Sequence, residues 1–144
     1  MGNTDMGRVL TEATIYNAHD HADEKTGKLT ADKVRKVVVT DALVDTGATM
    51  LAMPKSLIDQ LGLPKQYEKR AMTAAGSMVI NVYGTARVVI MGREAPTDVI
   101  EVPEGSPVLI GQIPLEGMDW VVDLQGRKLI GNPAHGGEHI LELL

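Results

Sequence analysis

The run Ala42-Leu43-Val44-Asp45-Thr46-Gly47-Ala48-Thr49 constrains this chain more than any other. Its apolar residues read as a buried strand, and that strand must end on a carboxylate followed at once by Thr-Gly. A carboxylate at the end of a buried strand is costly unless another group uses or neutralises it. Gly47 permits a tight turn or the close approach of another backbone. The plain alternative is an Asx-type turn in which Asp45 caps its own backbone.

The flanking pattern is a series of short strands. Arg8–Asn17 alternates in part and is rich in β-formers, which predicts a strand. Ala18–Asp32 is charged and holds Thr26-Gly27, the pattern of an exposed connection. Val34–Val44 is a second strand centred on Val37-Val38-Val39, and it delivers Asp45. Pro54 opens a helix over Lys55–Leu61 that Gly62 ends. Tyr67–Thr73 and Ser77–Tyr83 read as hairpin arms around an Ala74-Ala75-Gly76 tip. Val79–Met91 continues as a long strand, turns at Gly92-Arg93 and returns as Ala95–Val102. After a Pro103–Pro107 turn, Val108–Gly111 is a short buried strand and Pro114–Met118 a second short helix. Trp120–Asp123 and Lys128–Ile130 flank a turn at Gln125-Gly126. The expected class is therefore all-β, mainly strands with two short helices, in one compact domain over 8–133. Met1–Gly7 reads as a loose arm, and 134–144 as a tail closing on Ile140-Leu141-Glu142-Leu143-Leu144.

Composition narrows the function. At 144 residues the chain can bury one core but is small for a two-lobed enzyme. A net charge of −5 without any Lys/Arg cluster argues against nucleic acid or an anionic membrane as partner. No apolar run approaches the length of a membrane span, and no basic-then-apolar signal segment opens the chain. Met1-Gly2 matches a myristoylation start, but Met6 stands where Ser or Thr is wanted. With no cysteine, disulfides, thiolate catalysis and thiolate metal ligation are excluded. A cytoplasmic protein is the default expectation.

The tripeptide Asp45-Thr46-Gly47 is short enough to arise by chance, so its flanks carry the recognition. Small-apolar-apolar-Asp-Thr-Gly-Ala-Thr resembles the active-site loop of the retropepsin-like aspartic proteases, the single-domain relatives of pepsin. The order of strand, Asp loop, hairpin, hydrophobic-hydrophobic-Gly, helix and closing strand resembles that family over 8–133. Leu109-Ile110-Gly111-Gln112-Ile113-Pro114-Leu115-Glu116 followed by Val121-Val122-Asp123 is similar to the closing segment of its stand-alone prokaryotic members. An internal echo agrees: the Asp45 strand with its Pro54 helix resembles the Leu109-Ile110-Gly111 strand with its Pro114 helix.

The resemblance implies a closed β-barrel, one half of an acid protease, active as a two-fold dimer without cofactor or metal. Aspartic-protease chemistry needs one ionised carboxylate to take a proton from water and one protonated carboxyl to hydrogen-bond the scissile carbonyl. This chain holds a single Asp-Thr-Gly, so the dyad would pair Asp45 with its copy in a second chain. The substrate would be a peptide or protein. By the same resemblance Thr46 would bond across the dimer, Gly47 would admit the substrate backbone, and Ala48 would line the floor. Ala74, Ala75, Gly76 and Ser77 would form the flap, which could equally be a plain exposed hairpin. Leu109, Ile110 and Gly111 would wall the catalytic loop. Met72 and Met78 flank the tip and suit varied peptide side chains, although filling a core is the commoner use of Met. The apolar residues of the tail would pair in the dimer. The alternative function is a catalytically weak or inactive module of the same fold that dimerises or binds peptides.

Two further clusters compete. His135-Gly136-Gly137-Glu138-His139 matches the His-x-x-Glu-His pattern of zinc peptidases, yet Gly136-Gly137 after Pro133 opposes the helix which that chemistry needs. His19-Asp20-His21 with Asp23 and Glu24 carries ligand-type side chains, but in a segment that reads as a solvated loop.

Overall fold

A computed structural model describes residues 8–143, and among these described residues nine strands and three short α-helices build the fold. The expected arm at Met1–Gly7 and the last residue, Leu144, lie outside the described residues. The strands are β1 (Val9–Asn17), β2 (Lys36–Val44), β3 (Leu51–Pro54), β4 (Lys65–Thr73), β5 (Gly76–Ile90), β6 (Arg93–Val102), β7 (Leu109–Ile110), β8 (Trp120–Asp123) and β9 (Lys128–Gly131). The helices are α1 (Ala18–Lys25), α2 (Lys55–Leu61) and α3 (Gln112–Gly117).

The main sheet runs β1-β2-β7-β3-β6-β5-β4, and β1 also pairs with β5. That second pairing bends the sheet into a ring and leaves β4 as an arm outside it. Closure removes open edges along the ring, the usual solution for a small all-β protein. Neighbours in sequence pair antiparallel, as in β1–β2, β4–β5 and β5–β6. The two parallel pairs, β2–β7 and β3–β6, join segments far apart in the chain. The barrel interior is filled by Ile15, Leu51, Met53, Ile90 and Ile110, with Ile58 and Leu61 of α2 and Leu115 of α3 sealed against it. Strands β8 and β9 form a separate antiparallel pair.

The all-β expectation holds, with three corrections. First, Ala18–Asp32 is not an exposed connection. It contains α1 and a 3-10 turn at Ala31–Lys33, making three α-helices rather than two. Asn17 starts α1 by accepting the Asp20 N–H on its side chain at 3.0 Å, and its own amide donates to the Leu61 carbonyl at 2.8 Å. Second, His19-Asp20-His21 is not a solvated loop, because Asp20 and His21 are buried. Asp20 takes a two-pronged grip from Arg35, with Nε to Oδ2 at 2.7 Å and Nη2 to Oδ1 at 3.0 Å. That guanidinium holds the Asp20 carboxyl below its ordinary value against the opposing effect of burial. Third, Leu51–Pro54 is a strand, so Pro54 caps α2 rather than opening it, and α3 starts at Gln112 rather than Pro114.

Candidate active site

Strand β2 carries Asp45 out of the barrel wall beside β7. The Leu43 N–H donates to the Val108 carbonyl at 2.8 Å, and the Asp45 N–H donates to Ile110 at 3.0 Å. Immediately after Asp45 the chain reverses. Its Oδ1 accepts the Gly47 N–H at 3.0 Å, and its carbonyl accepts the Ala48 N–H at 3.0 Å. This is the Asx turn of the plain reading, and among the described residues no other hydrogen bond engages the carboxylate. Asp45 is half-buried, while Thr46 and Gly47 are exposed. A β-carbon at residue 47 would sit 3.2 Å from Oδ1, so glycine there leaves the carboxylate its room.

The far side of the loop is fixed by α3. A helix N-terminus has N–H groups without partners inside the helix. Here Gln112 N–H donates to Ala48 at 2.8 Å and Ile113 N–H to Thr49 at 2.9 Å, so the loop carbonyls supply those partners. Gly111 makes this contact possible. Its α-carbon packs against the loop backbone so closely that a β-carbon would lie 2.7 Å from the Thr49 carbonyl carbon. Residues 45–48 and 109–111 are thus brought together as one unit, with Ile110 and Gly111 buried and Leu109 half-buried.

The hairpin of β4 and β5 stands apart from that unit. Its tip is Ala74-Ala75, with Thr73 Oγ1 accepting the Ala75 N–H at 3.2 Å and donating to the Gly76 carbonyl at 2.7 Å. Gly76 has φ +120, a conformation other residues rarely adopt. Ala74 to Ser77 are exposed, and no hydrogen bond among the described residues ties them to Asp45. Met72 and Met78, at 78% and 53% exposure, fill no core in the single chain.

The Asp45 turn, the hairpin and the Leu109–Gly111 wall all fall inside one family match. Residues 20–117 match the model described as "gag-polyprotein putative aspartyl protease". The chain belongs to this aspartyl protease family. A search of curated proteins gives no match.

Two other clusters of titratable side chains sit away from the Asp45 loop. The two imidazoles of the His-x-x-Glu-His run share no helical face, because Pro133–His135 is a 3-10 turn and Gly136 and Gly137 both have positive φ. Instead His135 Nδ1 lies 2.6 Å from Asp119 Oδ2, and its Nε2 lies 3.3 Å from Glu142. The bond to Asp119 raises the His135 value and lowers that of Asp119. His139 Nε2 lies 3.1 Å from the Gly117 carbonyl, so the tail folds back on its own chain. On α1, His21 and Lys25 converge with Arg87 on Glu94, and the Arg87 bond at 2.8 Å does most to pull that carboxyl down to about 2.

Sequence reasoning missed Gln112, Ile113 and Thr49 as anchors of the Asp45 loop. The signal was available in Gly111, since a buried glycine ahead of a helix marks a place where another backbone approaches.

Proposed function

We propose that the protein is a homodimeric aspartic endopeptidase in which Asp45 of each copy shares one proton with the other. The supporting observation is the single Asp45 loop, held between β7 and α3 with its Thr46-Gly47 edge exposed. Two carboxylates about 3 Å apart cannot both ionise, so one would act as base and the other as acid. The ionised Asp45 takes a proton from water as the water attacks the peptide carbonyl, and the protonated one hydrogen-bonds the carbonyl oxygen. Proton transfer to the amine then releases the two peptide halves.

In this reading Thr46 bonds across the two-fold axis, and Gly47 and Ala48 form the floor on which an extended peptide lies. Ala74, Ala75, Gly76 and Ser77 close over the peptide as a lid that excludes water. Leu109, Ile110 and Gly111 wall the loop, and the tail residues Ile140, Leu141 and Leu143 add to the dimer contact. Among the described residues no helix is long and apolar enough to cross a membrane.

Asp45→Asn is the direct test, because it keeps the shape of the side chain and its acceptor for Gly47 while removing the base. The folded variant is expected to lose turnover of a mixed peptide pool while keeping its stability within about 1 kcal/mol of wild type. Cleavage at the wild-type rate would overturn the mechanism.

A further inference from the structure

The register of the β4–β5 hairpin sorts its charges onto two faces. Opposed residues of an antiparallel pair share a face. Tyr67 faces Val82, Lys69 faces Ile80 and Ala71 faces Met78, while Glu68 faces Asn81 and Arg70 faces Val79. Val82 is buried and faces Ile100, Ile100 faces Ala52, and Ala52 faces Leu109 of the wall. Tyr67, Lys69, Ala71, Met78 and Ile80 therefore lie on the face that continues outward from that wall, opposite the core face of Tyr83 and Val99. Ile80 and Ala71 are half-buried there and Tyr67, Lys69 and Met78 exposed, while on the other face Asn81 is half-buried and Glu68, Arg70, Met72 and Val79 are exposed. The first face is therefore the underside, the one a closing flap lays over a bound peptide.

Charge is distributed unequally between them. The outer face carries Glu68 beside Arg70, one charge of each sign, and Glu68 also pairs with Lys65 at 3.4 Å. The underside carries Lys69 alone, with no acid on either strand of that face and no ion pair among the described residues. The nearest acid on the neighbouring strand, Glu101, is turned to the Asn81 side, where it accepts from Asn81 at 3.3 Å and from Tyr83 at 2.8 Å. A lone cation thus sits beyond the Ala71, Met78 and Ile80 patch, in a chain whose net charge is −5.

We propose that Lys69 is a specificity-determining residue that favours substrates with an acidic side chain at an outer position, next to apolar residues near the cut. The proposal rests on the endopeptidase reading and on the flap closing over the peptide. Strand spacing sets the position. Lys69 is five residues before Ala74, about 17 Å at ~3.4 Å per residue, and a peptide rises about 3.3 Å per residue. Allowing for the length of the lysine, the acid belongs about three to five residues from the scissile bond.

The test compares peptides differing only by Glu or Lys at one position, scanned along a cleaved sequence, with kcat/KM read for wild type, Lys69→Glu and Arg70→Glu. An exposed pair of this kind gives about a two- to fivefold preference for Glu over Lys, weakening as salt is raised. Lys69→Glu is expected to invert the preference at that position, and Arg70→Glu, with the same charge change on the other face, to preserve it. The ratio of two rates from one preparation is insensitive to the fraction folded. Equal rates for Glu and Lys peptides at every position would overturn the specificity alone. So would an equal response to Lys69→Glu and Arg70→Glu, which would mean that only net charge matters. Failure of wild type to cut any peptide would overturn the endopeptidase reading beneath it.

Discussion

Replacing Gly111 with alanine probes how the Asp45 loop is held. The Gly111 backbone has φ −87, which alanine adopts freely, so any cost comes from space alone. The added methyl would lie 2.7 Å from the Thr49 carbonyl carbon and 2.8 Å from the Met50 nitrogen, well inside contact distance. Both are backbone atoms and cannot swing aside as a side chain would. Relief requires the loop to move off α3, which stretches the bonds from Gln112 to Ala48 at 2.8 Å and from Ile113 to Thr49 at 2.9 Å. Overpacking of this kind costs about 1–3 kcal/mol, and each weakened hydrogen bond up to about 1 kcal/mol. The sum is about 2–4 kcal/mol, which for a domain of this size lowers the melting temperature by about 6–12 °C. Thermal unfolding followed by circular dichroism reads that shift, and a peptide assay below the transition reads loss of turnover. Gly47→Ala is the contrast. Its methyl would meet only the Asp45 carboxylate at 3.2 Å, so stability should change by less than about 1 kcal/mol while turnover falls. A Gly111→Ala protein melting within about 2 °C of wild type would refute the claim that backbone contact at Gly111 shapes the loop.

Two further predictions concern pH. Glu94 has its value depressed to about 2, chiefly by Arg87, so its contribution is complete above the ordinary carboxylate range and is lost progressively as pH falls from there through about 2. Arg87→Ala should therefore move the acid-unfolding midpoint to higher pH, and an unchanged midpoint would remove Glu94 from acid tolerance. His135 is raised by Asp119, so its contribution is complete below about pH 6.5 and disappears as pH rises through the folded value. A neutral imidazole keeps one N–H, which the shorter Asp119 contact retains, so the Glu142 contact is the one lost. The protection of residues 138–143 against amide exchange, with the base-catalysed intrinsic rate divided out, should fall between acid and alkaline pH in wild type but not in His135→Gln; a pH-independent protection in wild type would disprove the link.

Local chemistry made much of the architecture legible. Gly62 ends α2 in a left-handed conformation with φ 64, as a glycine in that place should. The hairpin falls where alternating residues flank Ala74-Ala75-Gly76. Asp45 forms the self-capping turn that the sequence allowed, with its carboxylate half-buried beside the exposed Thr46-Gly47 edge. What stayed hidden depended on distant partners. Helix α1 has almost no apolar face, and Asp20 and His21 are buried only because Arg35 and Glu94 meet them there. Strand β3 is four residues ending in proline, and pairing with the distant β6 and β7, not its own sequence, makes it a strand. Neither pairing leaves a periodic trace.

Placing β7 between β2 and β3 has a consequence for biosynthesis. The polypeptide leaves the ribosome N-terminus first, so Asp45 emerges long before Ile110, Gln112 and Ile113, the residues that grip its loop. At about 5–20 residues per second the gap is on the order of several seconds. Throughout that interval the nascent chain holds Asp45 without the frame that orients it, and any fragment ending before β7 is left in the same condition. On the endopeptidase reading, activity therefore waits on segments that the ribosome delivers last.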